Sequence, residues 1–314
     1  MLRGLLCTLV ASLMLLLPAR AETTLRVAVV SRTIFYLPAW TAEKQGFFQA
    51  EGIDAKIEVF NAADRILKDI DAGTHQIGIT PIENVIAQAY KGGRLRIVAG
   101  NAQRPPHFII AQPEIKRFAD LKGKLIGVVS MEEGTTFFVK DIAARAGFDA
   151  ADVRVEAVGG SPARQKLLRE KKIDAGLQPY PLSYEAENEG FTNLGPIADL
   201  VPDYQFTSVV VDDAWARTNR GVLTAFLRAL RRGTDYMFAH PDESAELGAK
   251  ELNTTAAFAK RALEDTVRMD VLARDLSITD KSLRRVFDNV KAAKLIADDA
   301  VYERARFVDE SYLK

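Results

Sequence analysis

The sequence predicts an α/β protein made of two successive strand–helix cycles followed by a helical C-terminal third. Three observations predict it. Short β-rich runs alternate with helical patterns from Leu25 to Leu177. Gly or Pro stands at most of the junctions. Beyond a last apolar run at Ser208–Val211, the pattern is almost wholly helical to Lys314. Strands separated by helices favour parallel sheets with right-handed crossovers.

The first strand is Leu25–Val30, broken by Ser31-Arg32-Thr33. Pro38 then opens a helix that Gly46 ends, since Pro suits a first turn and Gly stops a helix. Ala55–Phe60 alternates polar and apolar residues and reads as a second strand. Arg65–Ala72 is helical and ends at Gly73. Gln76–Thr80 is a third strand, Pro81 starts the next helix, and Leu95–Ala99 is a fourth strand. Open sheets of this type bind ligands beyond the carboxyl ends of their strands. In this cycle those ends carry Ser31–Tyr36, Thr80–Asn84 and Asn101–His107.

The second cycle opens with the charged turn Asp120-Leu121-Lys122-Gly123-Lys124 and the strand Leu125–Val129. The polar loop 130–136 leads to a helix over Phe137–Ala146. Val153–Val158 is a strand, Gly159-Gly160-Ser161-Pro162 enters another helix, and Ile173–Leu177 is a short strand meeting Gln178-Pro179-Tyr180-Pro181. The outgoing crossover between the cycles is expected near His107–Ala111 and the return near Phe206–Val211. Two crossings imply a two-stranded hinge beside a cleft. In the tail, Val222, Phe226, Leu227 and Leu230 recur at helical spacing and should pack on the first lobe, with Arg228, Arg231 and Arg232 on a solvated face.

The N-terminal segment reads as an export signal. Arg3 is followed by the apolar run Gly4–Leu17 and then Pro18-Ala19-Arg20-Ala21, an A-x-A cleavage pattern that places the cut after Ala21. The run is shorter than the roughly 20 residues of a membrane helix. The single cysteine, Cys7, falls inside it, so residues 22–314 carry no thiol. That suits an oxidising compartment and excludes disulfides, thiolate metal sites and a cysteine nucleophile. The chain holds 42 basic and 42 acidic residues. This balanced, dispersed charge argues against a nucleic-acid or membrane-surface protein.

The stretch Leu37-Pro38-Ala39-Trp40-Thr41-Ala42-Glu43-Lys44-Gln45-Gly46-Phe47-Phe48, followed by Glu51-Gly52-Ile53-Asp54, carries a resemblance. It resembles the periplasmic substrate-binding proteins for nitrate, sulfonate, taurine and thiamine-pyrimidine precursors. Asp71-Ala72-Gly73, Asp120–Lys124 and Ile173–Tyr180 continue it across most of the chain. The resemblance implies a two-lobed periplasmic-binding-protein fold of type II, each lobe a mainly parallel sheet flanked by helices. Lobe 1 would comprise 22–107 and 208–314, and lobe 2 would comprise 108–207. It also implies that the protein hands a small-molecule ligand to the permease of an ABC importer driven by a cytoplasmic ATPase. With the leader and the sparse His and Cys content, the expectation is a periplasmic monomer without cofactor or metal. A ligand-sensing module for a membrane receptor would share that fold and pocket.

Helix N-termini present free amides and the positive end of a dipole. Three are expected at the cleft, near Leu37, Ile82 and Thr135. Thr135 and Thr136 match the loop that contacts the ligand's acidic group in similar proteins; the alternative is a plain helix cap. Arg32 and Arg104 are the candidate anion partners, because a guanidinium binds a carboxylate or sulfonate through paired hydrogen bonds. Each has a surface ion pair as its alternative, and Arg164 ranks lower because it falls inside a helix. Phe35, Tyr36, Phe108 and Tyr180 would line the pocket, Tyr36 and Tyr180 foremost because a phenol has both a face and a polar tip, while Asn84 and Gln178 would add hydrogen bonds. Glu132 and Glu133 oppose an anion if they point inward. His107 reads as a structural group at the crossover.

Enzymatic signatures are missing. His75, His107 and His240 are scattered without zinc-site spacing, and no G-x-S-x-G or Walker A motif occurs. One branch of the resembling superfamily makes the thiamine pyrimidine using a cysteine-rich motif. This chain has no cysteine at the equivalent loop.

Overall fold

The structure is a computed structural model describing residues 22–314 apart from Glu133. The expected leader with its cleavage point, Cys7 and the orientation of Glu133 therefore lie outside the described residues. Ten strands are present in these residues: β1 (Thr23–Val29), β2 (Ile53–Val59), β3 (Ile77–Thr80), β4 (Leu95–Gly100), β5 (His107–Ala111), β6 (Leu125–Val128), β7 (Arg154–Ala157), β8 (Ala175–Pro179), β9 (Thr192–Pro196) and β10 (Ser208–Asp212). They form two five-stranded sheets, in the orders β2-β1-β3-β10-β4 and β7-β6-β8-β5-β9.

Both sheets are mixed. In each, four strands run parallel and one is inserted antiparallel between the third strand and the edge: β10 in the first sheet and β5 in the second. The inserted strands correct the expected crossovers. His107–Ala111 and Ser208–Val211 are interior strands buried on both faces of their sheets, which is why they are apolar. The chain crosses between sheets at 101–106 and returns at 197–207. These segments bond to each other: the Asn101 amide donates to the Thr207 carbonyl at 3.1 Å, and the Phe206 amide to the Ala102 carbonyl at 2.8 Å. The Asn101 side-chain amide ties the pair to the first half through the Phe35 carbonyl at 3.0 Å. The strand β9 was not foreseen. Its run Thr-Asn-Leu-Gly-Pro is polar and ends in two breakers, composition tolerated at a sheet edge.

The helices follow the punctuation of the sequence. Pro38 lies in the first turn of Leu37–Lys44, and Gly46 leaves it in the left-handed region at φ 70°. The long helix Arg220–Ala239 packs on that helix so closely that a Cβ on Gly233 would stand 2.3 Å from the Pro38 carbonyl oxygen. Phe48 stacks on Phe226 with ring centroids 5.1 Å apart. Phe226, Leu227 and Leu230 are buried as expected, and Arg228, Arg231 and Arg232 are exposed.

The tail also reaches the second half. From the helix Ala256–Arg268, Asp265 accepts the Tyr184 hydroxyl, and Arg261 pairs with Glu187 at 3.0 Å. From the helix Asp280–Ala292, Arg285 pairs with Asp141 at 2.5 Å and Lys281 with Asp203 at 2.6 Å.

Candidate functional site

The carboxyl ends of parallel strands from both sheets meet at one place. β1 delivers Val30 and Ser31, β3 delivers Pro81, β6 delivers Val129, and the turn after β7 delivers Gly160 and Ser161. Because β5 runs antiparallel, its first residue, His107, comes to the same edge, paired in register with Pro179 at the end of β8. Phe35, Tyr36, Thr135, Arg164 and Phe206 complete the lining. The space between them is ≈ 30 Å³, about the volume of one or two water molecules. The two halves are therefore in close contact across the cleft.

One wall is aromatic. Phe35 meets Tyr36 at 4.5 Å and Phe206 edge-on at 5.8 Å, and the His107 ring meets Phe206 edge-on at 4.9 Å. Edge-to-face contacts of this kind set ring edges against neighbouring faces.

The opposite wall is polar. The helix Ser161–Arg169 begins at the cleft, and Arg164 in its first turn is fully buried. Its guanidinium donates to the Leu177 carbonyl from Nε at 3.1 Å and from Nη2 at 2.8 Å. It also donates to the Gly159 carbonyl at 2.8 Å and the Ser161 hydroxyl at 3.0 Å. Gln178 stands behind this helix, with its side-chain amide donating to the Ser161 carbonyl at 3.2 Å and to Gln165 at 2.8 Å. Burial, and then the Arg164 charge, hold His107 well below the usual histidine range, so the ring is neutral.

The second helix at the cleft is Gly134–Ala146. Thr135 accepts the Val129 amide at 3.1 Å and Thr136 donates to the Ser130 carbonyl, so both hydroxyls brace the preceding loop. Beside this terminus lies Glu83, fully buried and accepting the Tyr204 hydroxyl at 2.6 Å. A Cβ on Gly134 would come within 2.9 Å of the same carboxylate oxygen, so glycine admits the close approach. Burial pushes the Glu83 carboxyl up to about 7, opposed by the Tyr204 hydroxyl and the amides of Glu83, Gly134 and Ile82.

Of the foremost candidates from the sequence, Tyr36 and Thr135 line the cleft, as does Phe35. The structure does not bring the others there. Arg32 pairs with Glu251 at 3.1 Å and lies over the Trp40 ring. Arg104 stands 4.0 Å from Asp270, and Asn84 donates to Asp64 at 3.4 Å. Tyr180 is buried against Thr266 at 3.2 Å, and Gln178 acts through the helix it braces. Glu132 is exposed. Arg164, which the sequence ranks below Arg32 and Arg104, and His107, which it reads as a structural group, line the cleft together with Ser161 and Phe206. Gly-Gly-Ser-Pro at a strand's carboxyl end followed by Arg one turn later was the available signal, by the strand-end rule extended to the second cycle.

Among the described residues no cluster of three or more His, Cys, Asp or Glu is placed to hold a metal ion. No described helix is long and apolar enough to cross a membrane.

The chain is similar to a protein of Brucella abortus (strain 2308) named as a binding protein, 28% identical over 69% of this chain and 67% of that one. It is also similar to the 4-amino-5-hydroxymethyl-2-methylpyrimidine phosphate synthase of Legionella pneumophila, 23% identical over 68% of each chain. Among solved structures, the ligand-binding component of an ABC-type import system from Staphylococcus aureus superposes with a TM-score of 0.79. That match has 13% identity over 93% of this chain and 98% of that one. The aliphatic sulphonate binding protein of Escherichia coli gives 0.63, with 18% identity over 77% and 83%. At these identities the structural matches establish the fold, a two-lobed periplasmic-binding-protein architecture. Residues 35–244 match the NMT1/THI5-like family, and the chain belongs to that family.

Proposed function

We propose that this protein is the solute-binding component of an ATP-driven importer, and that it captures a small organic anion such as a sulfonate, taurine, nitrate or a carboxylate between its two lobes. The observation that supports this most directly is the polar wall of the cleft. It sets the fully buried Arg164 at the first turn of a helix, beside the hydroxyls of Ser161, Ser31 and Thr135. A buried guanidinium beside a helix N-terminus favours a negative charge, and hydroxyls complete its hydrogen bonds. Tyr36 and Thr135 contact the ligand in this reading together with Arg164, and Gln178 positions the Arg164 helix.

The protein acts as an exported monomer, cleaved after Ala21, that delivers its ligand to a transmembrane permease and performs no chemistry on it. The two lobes are the first sheet with the C-terminal tail and the second sheet. Ligand contacts from both favour closure, since a ligand shifts an equilibrium only by its differential affinity for the two states.

The aromatic wall supports a second reading, a flat heteroaromatic ligand such as a pyrimidine precursor of thiamine. A thermal-shift panel on ligand-stripped protein starting at Glu22 separates the two. It would contain taurine, ethanesulfonate, nitrate, benzoate and 4-amino-5-hydroxymethyl-2-methylpyrimidine. A compound at 100 times its Kd adds about 2.7 kcal/mol of stability. A shift with an anion that disappears in Arg164→Gln supports the first reading. A shift with the pyrimidine alone supports the second, and no shift with any compound counts against both.

A further inference from the structure

Two titratable side chains are sealed where the halves meet, and they respond to closure in opposite directions. Glu83 extends from the first half, just after β3, and is sealed by Tyr204 of the return crossing and by the first turn of Gly134–Ala146 in the second half. The carboxylate oxygen Oε2 has no hydrogen-bond partner. His107 stands at the cleft edge of the second sheet between Phe206 and Arg164, and its Nδ1 is likewise buried without a partner. Because first-half residues cover His107 across the cleft and second-half residues cover Glu83, separation of the halves would open both positions to water.

We infer that closure of the cleft draws one proton onto Glu83 and drives one off His107, so that the closed state is buffered against changes of pH. This rests on the reading of the protein as a two-lobed binder that opens and closes.

The sign follows from burial. The Glu83 carboxyl moves from its ordinary 4.5 up to about 7 in the closed form, so its protonation favours closure. That contribution is complete near pH 4.5 and is lost as the pH rises through about 7. The His107 ring is held well below its ordinary 6.5 in the closed form, so closure is opposed as the pH falls below 6.5. Between these limits the two effects run against each other.

The neighbouring groups do not supply the same response. Tyr204 is pushed well above its ordinary range by burial and by Glu83. Arg285 is engaged by Asp141. Asn289 bears on Tyr204 as a neutral amide, and Arg164 beside His107 is a fixed cation. Glu132, in the turn ahead of Gly134, is exposed.

Residues 22–314 contain no cysteine, so Asp71→Cys and Glu156→Cys provide a unique dye pair, one on each half. Energy transfer between the dyes, without ligand, reads the closed-to-open ratio from pH 7.5 to 5.5. A fully responding proton changes the ratio about tenfold per pH unit, and the two responses nearly cancel, so the unsubstituted protein should gain only about twofold. Glu83→Gln should instead lose about tenfold toward pH 5.5, and His107→Gln should gain about twentyfold.

Opposite slopes in the two variants support the inference. A variant that keeps the parent profile, or two slopes of one sign, overturns it. Should Glu83→Gln fail to fold, Tyr204→Phe probes the same group: loss of the donor should raise the carboxyl further and tilt the acid side toward closure, and an unchanged profile overturns the inference. The thermal-shift panel reports ligand capture separately. A panel hit with a failed pH test removes the proton coupling and leaves solute capture standing.

Discussion

The two halves of the molecule share a strand order and differ in what they bring to the cleft. Each sheet places its first parallel strand second from one edge and inserts one antiparallel strand from across the crossing. Their strand ends therefore arrive at the cleft in equivalent places. The first half furnishes Ser31, Phe35, Tyr36 and the sealed Glu83, while the second furnishes His107, Thr135, Ser161 and the cation Arg164. Repeated topology fixes where side chains converge, and the residues at those ends decide the chemistry.

The largest test of this division is Arg164→Gln. Removing a buried charge that faces an anionic ligand commonly costs about 2–5 kcal/mol of affinity. Calorimetric titration of the compound selected by the thermal-shift panel should show a Kd raised at least about thirtyfold, and an unchanged Kd would move the anion site away from this wall.

Gly233→Ala tests the first half alone. The added methyl meets the Pro38 carbonyl and the Ala42 side chain, and overpacking of this kind costs about 1–3 kcal/mol. Urea unfolding should show the loss, whereas an undisturbed midpoint would mean that the helix pair separates easily.

Phe206→Ala sharpens the comparison of walls. Loss of an aromatic neighbour should weaken a flat aromatic ligand by about 1 kcal/mol and leave nitrate nearly unaffected. Equal losses for both would show that the aromatic wall orders the crossing and does not recognise the ligand.

The smallest effect is expected at Arg32. Its side chain is 49% exposed in the pair with Glu251, so Arg32→Ala should cost less than about 1 kcal/mol in stability. Its ligand affinity should match the parent protein, and a large affinity loss would restore Arg32 to the site.

Much of this architecture was legible in local pattern. Pro38 and Gly46 bracket the first helix, and the helical spacing of Phe226, Leu227 and Leu230 predicts the face that is buried. The strand-end rule likewise marks Tyr36, and the helix N-terminus marks Thr135. Position directly after a strand ranks Arg32 and Arg104 above Arg164, which falls inside a helix, and the structure reverses that order at the cleft. The direction of a long side chain depends on what packs around it. Arg32 turns to Glu251, 219 residues away in sequence, whereas Arg164 folds back onto the Leu177 carbonyl.

By itself, the sequence determined the α/β class, the two cycles, the helical tail and the strand ends at which a site could form. Those properties rest on periodicity and on Gly and Pro, which act within a few residues. Only the tertiary structure decided that β5 and β10 enter their sheets antiparallel, that β9 forms an edge, and that Arg164, His107 and Glu83 are sealed at the cleft. Sheet insertion and burial depend on contacts between residues far apart in the chain, and burial is what makes an ordinary carboxyl and an ordinary imidazole respond to closure in opposite ways.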